Sequence, residues 1–149
     1  MRNPFIISAF IVISLLTFSC SKDKLVQIDT KQLWNCYKSQ NYDSTKLASK
    51  LIGTWKWSKY YAEIPGTNKA NKDVFLNLTK EGAFTVTENS VVITQGNWNL
   101  RVVDFENFEL DLNKPSTYFY GRILLCENQV LFNNSYIDGS DNLFVRTDY

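Results

Sequence analysis

Few of the side chains in this sequence could do chemistry. There is no histidine among the 149 residues, which removes the usual general base near neutral pH and the commonest metal ligand. The three cysteines, Cys20, Cys36 and Cys126, include no Cys-x-x-Cys pair of the kind that holds zinc or shuttles electrons. Cys126 could act as a lone nucleophile, yet with no histidine to activate it the thiol stays mostly protonated. Asp104, Glu106, Glu109 and Asp111 lie close together and could pair as acid and base; alternation around a hairpin end suits a solvated face better. Asp138-Gly139-Ser140-Asp141-Asn142 has oxygen ligands for a weak calcium ion, though a hairpin turn explains it more simply. The expectation is a protein that is not an enzyme, with no catalytic residue, no metal site and no cofactor.

Cys20 has a different chemistry, set by what precedes it. Arg2 followed by the apolar run from Phe5 to Phe18 reads as an export signal, too short for a spanning helix of about 20 residues. Thr17-Phe18-Ser19-Cys20 resembles the lipobox at which bacterial lipoprotein precursors are cut and acylated, departing from it at Thr17, where an aliphatic residue is usual. That resemblance implies a signal peptide over 1–19 and a lipid-bearing Cys20, acylated with chains such as palmitate; the alternative is a soluble secreted protein cut near Ser19. Each buried methylene contributes about 0.8 kcal/mol, so several chains on one cysteine anchor a protein permanently. Ser21-Lys22-Asp23-Lys24 resembles the short charged tags that send some Gram-negative lipoproteins to the outer surface. The expected address is the outer membrane, with the membrane itself as a partner through the lipid; the tag reads either as a signal for the outer surface or as a solvated tether, which leaves the membrane face open.

Only Arg2 among the 16 basic residues precedes Cys20, which leaves 15 basic against 15 acidic residues in the mature chain. Nothing there attracts nucleic acid by long-range charge. Aromatic residues make up 15% of the chain, enough to build the core of one compact domain. With Cys20 acylated, Cys36 and Cys126 could form a disulfide in an oxidising compartment, pinning the N-terminal segment to the domain; Cys126 also follows Ile123-Leu124-Leu125 and could be a buried thiol.

The elements that must position these residues fall into two regions. From 20 to 50 the chain reads as a polar tether with short helices, the first capped by Asp29 or Thr30 and the second by Asp43-Ser44, carrying Leu47 and Leu51 on one face. Leu33, Trp34 and Tyr37 are costly to leave in water, so this part is expected to pack on the domain rather than form a stalk. From 51 to 149 the pattern has period two. Strands are predicted over 51–62, 73–79, 83–87, 91–102, 105–112, 117–126, 129–132 and 143–147, with Ile64 to Asn71 as a long mobile loop. The fold class is therefore all-β, an antiparallel up-and-down eight-stranded barrel, with a two-sheet sandwich as the alternative.

Gly53-Thr54-Trp55 at the start of the first strand resembles the Gly-x-Trp signature of the lipocalins, and Gly82-Ala83-Phe84, Gly96-Asn97-Trp98 and Asp138-Gly139-Ser140-Asp141 make the chain similar to bacterial lipocalin-like lipoproteins. The resemblance implies that Trp55 plugs the closed end of the barrel and that Arg146, from the final strand, stacks across it. Counting alternate residues from Trp55 places Trp57, Lys59 and Tyr61 inside if no bulge intervenes. Leu76, Phe84 and Phe108 continue the inner layer. In the sixth strand the inner set is either Tyr118 and Tyr120 or Phe119, Gly121 and Ile123. The candidate ligand-binding residues are Trp57, Tyr61, Leu76, Phe84, Phe108 and Tyr120, which either fill the barrel or line a pocket for a small apolar or amphipathic ligand. The competing function is an envelope interaction module, a hydrolase inhibitor or structural lipoprotein, using the loops 64–71 and 134–142 with Tyr136. The sequence leaves the oligomeric state open.

Overall fold

A computed structural model describes residues 29–62, 66–104 and 106–147. The export signal, Cys20, the charged tag after it, Ile64 and Phe105 lie outside the described residues.

Two short helices come first. Helix α1 (Thr30–Ser39) is capped by the Asp29 carboxylate, which accepts from the Gln32 amide, and α2 (Ser44–Leu51) by Asp43, which accepts from Lys46. These side chains satisfy amides that have no partner inside the helix. Leu33 and Tyr37 on α1, and Leu47 and Leu51 on α2, recur at four-residue spacing and are buried, so each helix docks one stripe.

The strands are β1 (Gly53–Ala62), β2 (Gly66–Lys69), β3 (Val74–Leu78), β4 (Ala83–Glu88), β5 (Val91–Asp104), β6 (Asn107–Leu112), β7 (Arg122–Cys126), β8 (Gln129–Asn133) and β9 (Asp141–Arg146). Every pairing is antiparallel, in the order β6-β5-β4-β3-β1-β9-β8-β7, with β2 paired to β1 alone. The β1–β9 ladder, running from Trp55↔Arg146 to Tyr61↔Asp141, joins the first strand to the last. The result is the expected eight-stranded antiparallel barrel, nearly closed, with one seam where β6 and β7 face each other without a hydrogen-bonded ladder.

Strands β7 to β9 are buried on both faces. Phe132 and Phe144 point inward, while the aligned row Leu124, Leu131 and Leu143 points the other way and is equally buried. Helix α1 covers that outer row, packing on β7 and joined to it by the Cys36–Cys126 disulfide, with Cα atoms 5.7 Å apart. Amphipathic strands would leave the row in water, so the helix is what makes it a second core layer.

Three expectations need correction. Residues 66–69 of the expected mobile loop form β2, because the end of β1 beyond its pairing with β3 has a free edge that β2 takes up. The sixth strand begins at Arg122, not at 117. Gly121 has φ +93°, and a Cβ there would lie 2.1 Å from the Asn133 carbonyl oxygen, so the chain turns sharply before the strand can start. The final strand starts two residues earlier than predicted, at Asp141.

Candidate functional site

One end of the barrel is closed by side chains working on a helix terminus. Gly53 turns from α2 into β1 with φ +132°, and Trp55 two residues on is fully buried. Its Nε1 donates to the Leu51 carbonyl at 2.7 Å. Arg146 lies with its guanidinium carbon 4.3 Å from the Trp55 ring centroid and donates to the carbonyls of Ile52, at 2.9 Å, and Lys50. The acceptors are thus the last carbonyls of α2, where partial negative charge collects and a cation is favoured.

The interior beyond the plug is packed with rings. Trp57 donates from Nε1 to Asn142 at 3.1 Å, stacks on Tyr60 at 5.6 Å and meets Tyr118 edge-on at 5.1 Å. Phe119 lies 5.3 Å from Phe132 and 5.2 Å from Phe144. Trp57, Leu76, Phe84 and Phe108 are all buried in this core. Tyr61 and Tyr120 are not, with exposures of 37% and 50%. For Tyr61 the cause is a β-bulge between Trp57 and Lys59, which pair with the consecutive residues Phe144 and Leu143. The extra residue flips the alternation, so Tyr60 turns inward in place of Lys59 and Tyr61.

Tyr120 is displaced by the same turn that shortens β7. The segment 116–121 folds inward against the core, with Phe119 only 2% exposed. The Tyr118 hydroxyl donates to Glu88 at 2.9 Å, and Lys72 pairs with the same carboxylate at 2.7 Å. Those two hydrogen bonds hold the Glu88 carboxyl below its ordinary range, while burial, then Glu88, pushes the Tyr118 phenol up. Of the two inner sets open in the sequence, Phe119 and Ile123 are the buried one, and Tyr118 is half-buried beside them.

The seam carries a groove of about 500 Å³ between the β6 residues Leu110 and Leu112 on one side and Phe119, Tyr120, Tyr136 and Ile137 on the other. Arg101, paired with Glu109, stands at its rim. The wall containing Tyr136 is held from below by Asp141, a carboxylate 2% exposed that accepts from the Asn134 and Ser135 amides at 2.7 Å, from the Ser135 hydroxyl and from Asn133. Asp141 thus spends its oxygens on the protein's own donors. Arg122 stacks on the Tyr136 ring at 4.0 Å.

Across the seam, Arg122 pairs with Asp104 at 2.8 Å and the Tyr37 hydroxyl donates to the Glu106 carbonyl at 3.1 Å. Hydrogen bonding from Asn107 and the nearby Arg122 charge hold the Asp104 carboxyl below its ordinary range. Asp104 and Glu109 therefore sit in separate ion pairs, not as an acid and base around one point. Cys126 is in the disulfide and offers no thiol, which removes the lone-nucleophile idea.

Arg101 was not singled out in the sequence, and Ile137 only as part of the loop 134–142. Pro115 and Gly121, which bracket Thr117 to Tyr120, were the available signal for the shortened sixth strand, since those residue types punctuate a strand. Geometry defines the class of molecule: a small antiparallel barrel with a packed interior and a partly apolar groove at the seam between β6 and β7. No protein-family model matches the chain, and no curated protein or solved structure matches it.

Proposed function

We propose that this is a membrane-anchored, lipocalin-like binding lipoprotein, acylated at Cys20 and held at the outer membrane of a Gram-negative bacterium, that takes a small amphipathic ligand in the seam groove. The observation that carries the reading is the groove itself. Its volume of about 500 Å³ falls within the roughly 300–1,000 Å³ of small-molecule sites. Its apolar side chains suit a hydrocarbon or ring system, and the Arg101–Glu109 pair with Asp111 beside it suits a polar end. The packed interior supports moving the ligand out of the barrel, where Trp57, Leu76, Phe84 and Phe108 serve as core. The reading is of a binder, not an enzyme, and needs no cofactor and no nucleic acid.

The test uses 1-anilinonaphthalene-8-sulfonate, an aromatic anion that brightens in apolar sites. The chain should enhance its fluorescence saturably, and Ile137→Asp, at a position 62% exposed, should weaken that binding by about tenfold. No enhancement, or enhancement indifferent to Ile137→Asp, would overturn the assignment.

A second reading is favoured by one observation. Val91, Val92 and Ile93 are each exposed beside the β4–β5 turn, and apolar side chains grouped on a surface suit a protein contact. On this reading the barrel is an envelope interaction module. A pull-down from envelope extract in which Val92→Lys and wild type retain the same partners would count against it.

A further inference from the structure

The mature chain is neutral as a whole but not uniformly so. Residues 20–51 hold Lys22, Lys24, Lys31, Lys38, Lys46 and Lys50 against Asp23, Asp29 and Asp43, a balance of +3, and residues 52–149 carry nine basic and twelve acidic residues, a balance of −3. Such a split within one small protein separates a surface drawn to negative charge from one repelled by it.

The helices arrange the positive part with aromatic rings. Lys31, Trp34 and Lys38 recur at helical spacing on α1, and both lysines are exposed. Lys38 Nζ lies 5.0 Å from the centroid of the Trp34 ring, and Lys46 Nζ lies 5.2 Å from that of Tyr42. Tyr37 links the two pairs, 6.4 Å from Trp34 and 5.6 Å from Tyr42. Asp29 and Asp43 each turn an oxygen inward to a helix amide. Lysines snorkelling beside half-buried Trp and Tyr rings are the composition of a surface that rests at a bilayer interface.

We infer that this lysine–aromatic face of α1 and α2 lies against an anionic lipid surface. Charge complementarity selects the occupant. The nine residues from Cys20 to Asp29 can span at most about 30 Å, so an anchored Cys20 keeps the face close enough for an attraction that decays over about 8 Å at physiological salt to act. The barrel's opposite charge turns it away from the same surface. β9 runs from Asp141, beside the groove wall, to Arg146 at the α2 end, so helices placed on the membrane leave the groove facing outward. The inference shares only the acylation of Cys20 with the proposed function.

The test uses the chain from residue 20 with Cys20→Ser, so that no acyl group contributes. Co-sedimentation compares vesicles of phosphatidylcholine with vesicles containing about one third phosphatidylglycerol. Binding is expected on the anionic vesicles only, and it should weaken as salt rises from about 0.05 to about 0.5 M. Lys31→Glu with Lys38→Glu should lower it by at least about tenfold, whereas Lys69→Glu with Lys72→Glu at the far end of the barrel should change it less than about twofold. Lys31→Gln with Lys38→Gln gives an intermediate loss and guards against misfolding of the reversed variant. Equal binding to both vesicle types, or equal effects of the helix and barrel pairs, overturns the inference. Ile137→Asp should bind vesicles like the parent chain, so failure of the groove assignment and failure of this one are read separately.

Discussion

The barrel has a wall and a seam, and they are held by different physics. In the wall, around β1, β9 and β8, backbone ladders run unbroken except for one bulge, and the plug turns the Trp55 Nε1 and two Arg146 nitrogens onto carbonyls at the end of α2. At the seam no ladder joins β6 to β7. Side chains do the joining: a disulfide from α1 to β7, the Tyr37 hydroxyl on Glu106, and Arg122 on Asp104. The fit is poorer there, and the Nε of Arg122 is buried with no hydrogen-bond partner. A ladder repeats every two residues and tolerates the loss of one contact, whereas three separate cross-links do not back one another up. The groove occurs where the ladder is missing.

The wall should therefore respond most to loss of packing. Trp55→Ala removes a fully buried ring and strands Arg146 beside carbonyls it no longer reaches in one fixed pose. The expected cost is about 3–5 kcal/mol by urea denaturation, a large share of the stability of a domain this size. A loss below about 1 kcal/mol would mean that the plug is not part of the cooperative core.

The seam should respond most to loss of a cross-link. Cys36→Ser with Cys126→Ser opens a loop of 90 residues, with an expected cost of about 2–4 kcal/mol. The distribution of that loss is what distinguishes the regions. Amide exchange should rise in α1 and β7, where the tie was, while the β1–β9 ladder keeps its protection up to global unfolding. Uniform loss of protection would abolish the distinction between wall and seam.

What could be read in the sequence follows the same division. Alternation in 74–78 and 83–87, with turn residues between, carried enough information to place Leu76, Phe84 and a closed meander, because a ladder is a local, periodic object. Asp29 and Asp43 announced both helices for the same reason, since a cap acts within three residues. The bulge at Ser58 had no sequence signal, and it moved Tyr61 out and Tyr60 in. Phe119 and Tyr120 were ambiguous because their placement depends on a contact between Gly121 and Asn133, remote in sequence. Nor could spacing show that α1 would cover Leu124, Leu131 and Leu143, which made a one-faced strand pattern look continuous. The groove was hidden because it is built from the failure of two strands to meet, and periodicity describes only strands that do.

The smallest expected effect isolates one seam cross-link by pH. Burial, with the nearby Tyr42, Asp104 and Glu106, pushes the Tyr37 phenol up to about 12. An unfolded tyrosine ionises near 10, so between these values the unfolded chain has lost a proton that the folded one keeps. The contribution of Tyr37 is then complete below about pH 10 and fades as pH climbs towards about 12, a loss of about 2 kcal/mol. Other groups titrate in the same window, so the measurement is a difference. Urea denaturation between about pH 8 and 11.5 should show a steeper alkaline decline for the parent chain than for Tyr37→Phe, which has no phenol to ionise. Because Tyr37 spans from α1 to the β5–β6 turn, the extra decline should appear as loosening of α1 against the barrel before the wall unfolds. Identical slopes for the two chains would place Tyr37 outside the seam's cooperative unit and leave the disulfide to hold α1 there alone.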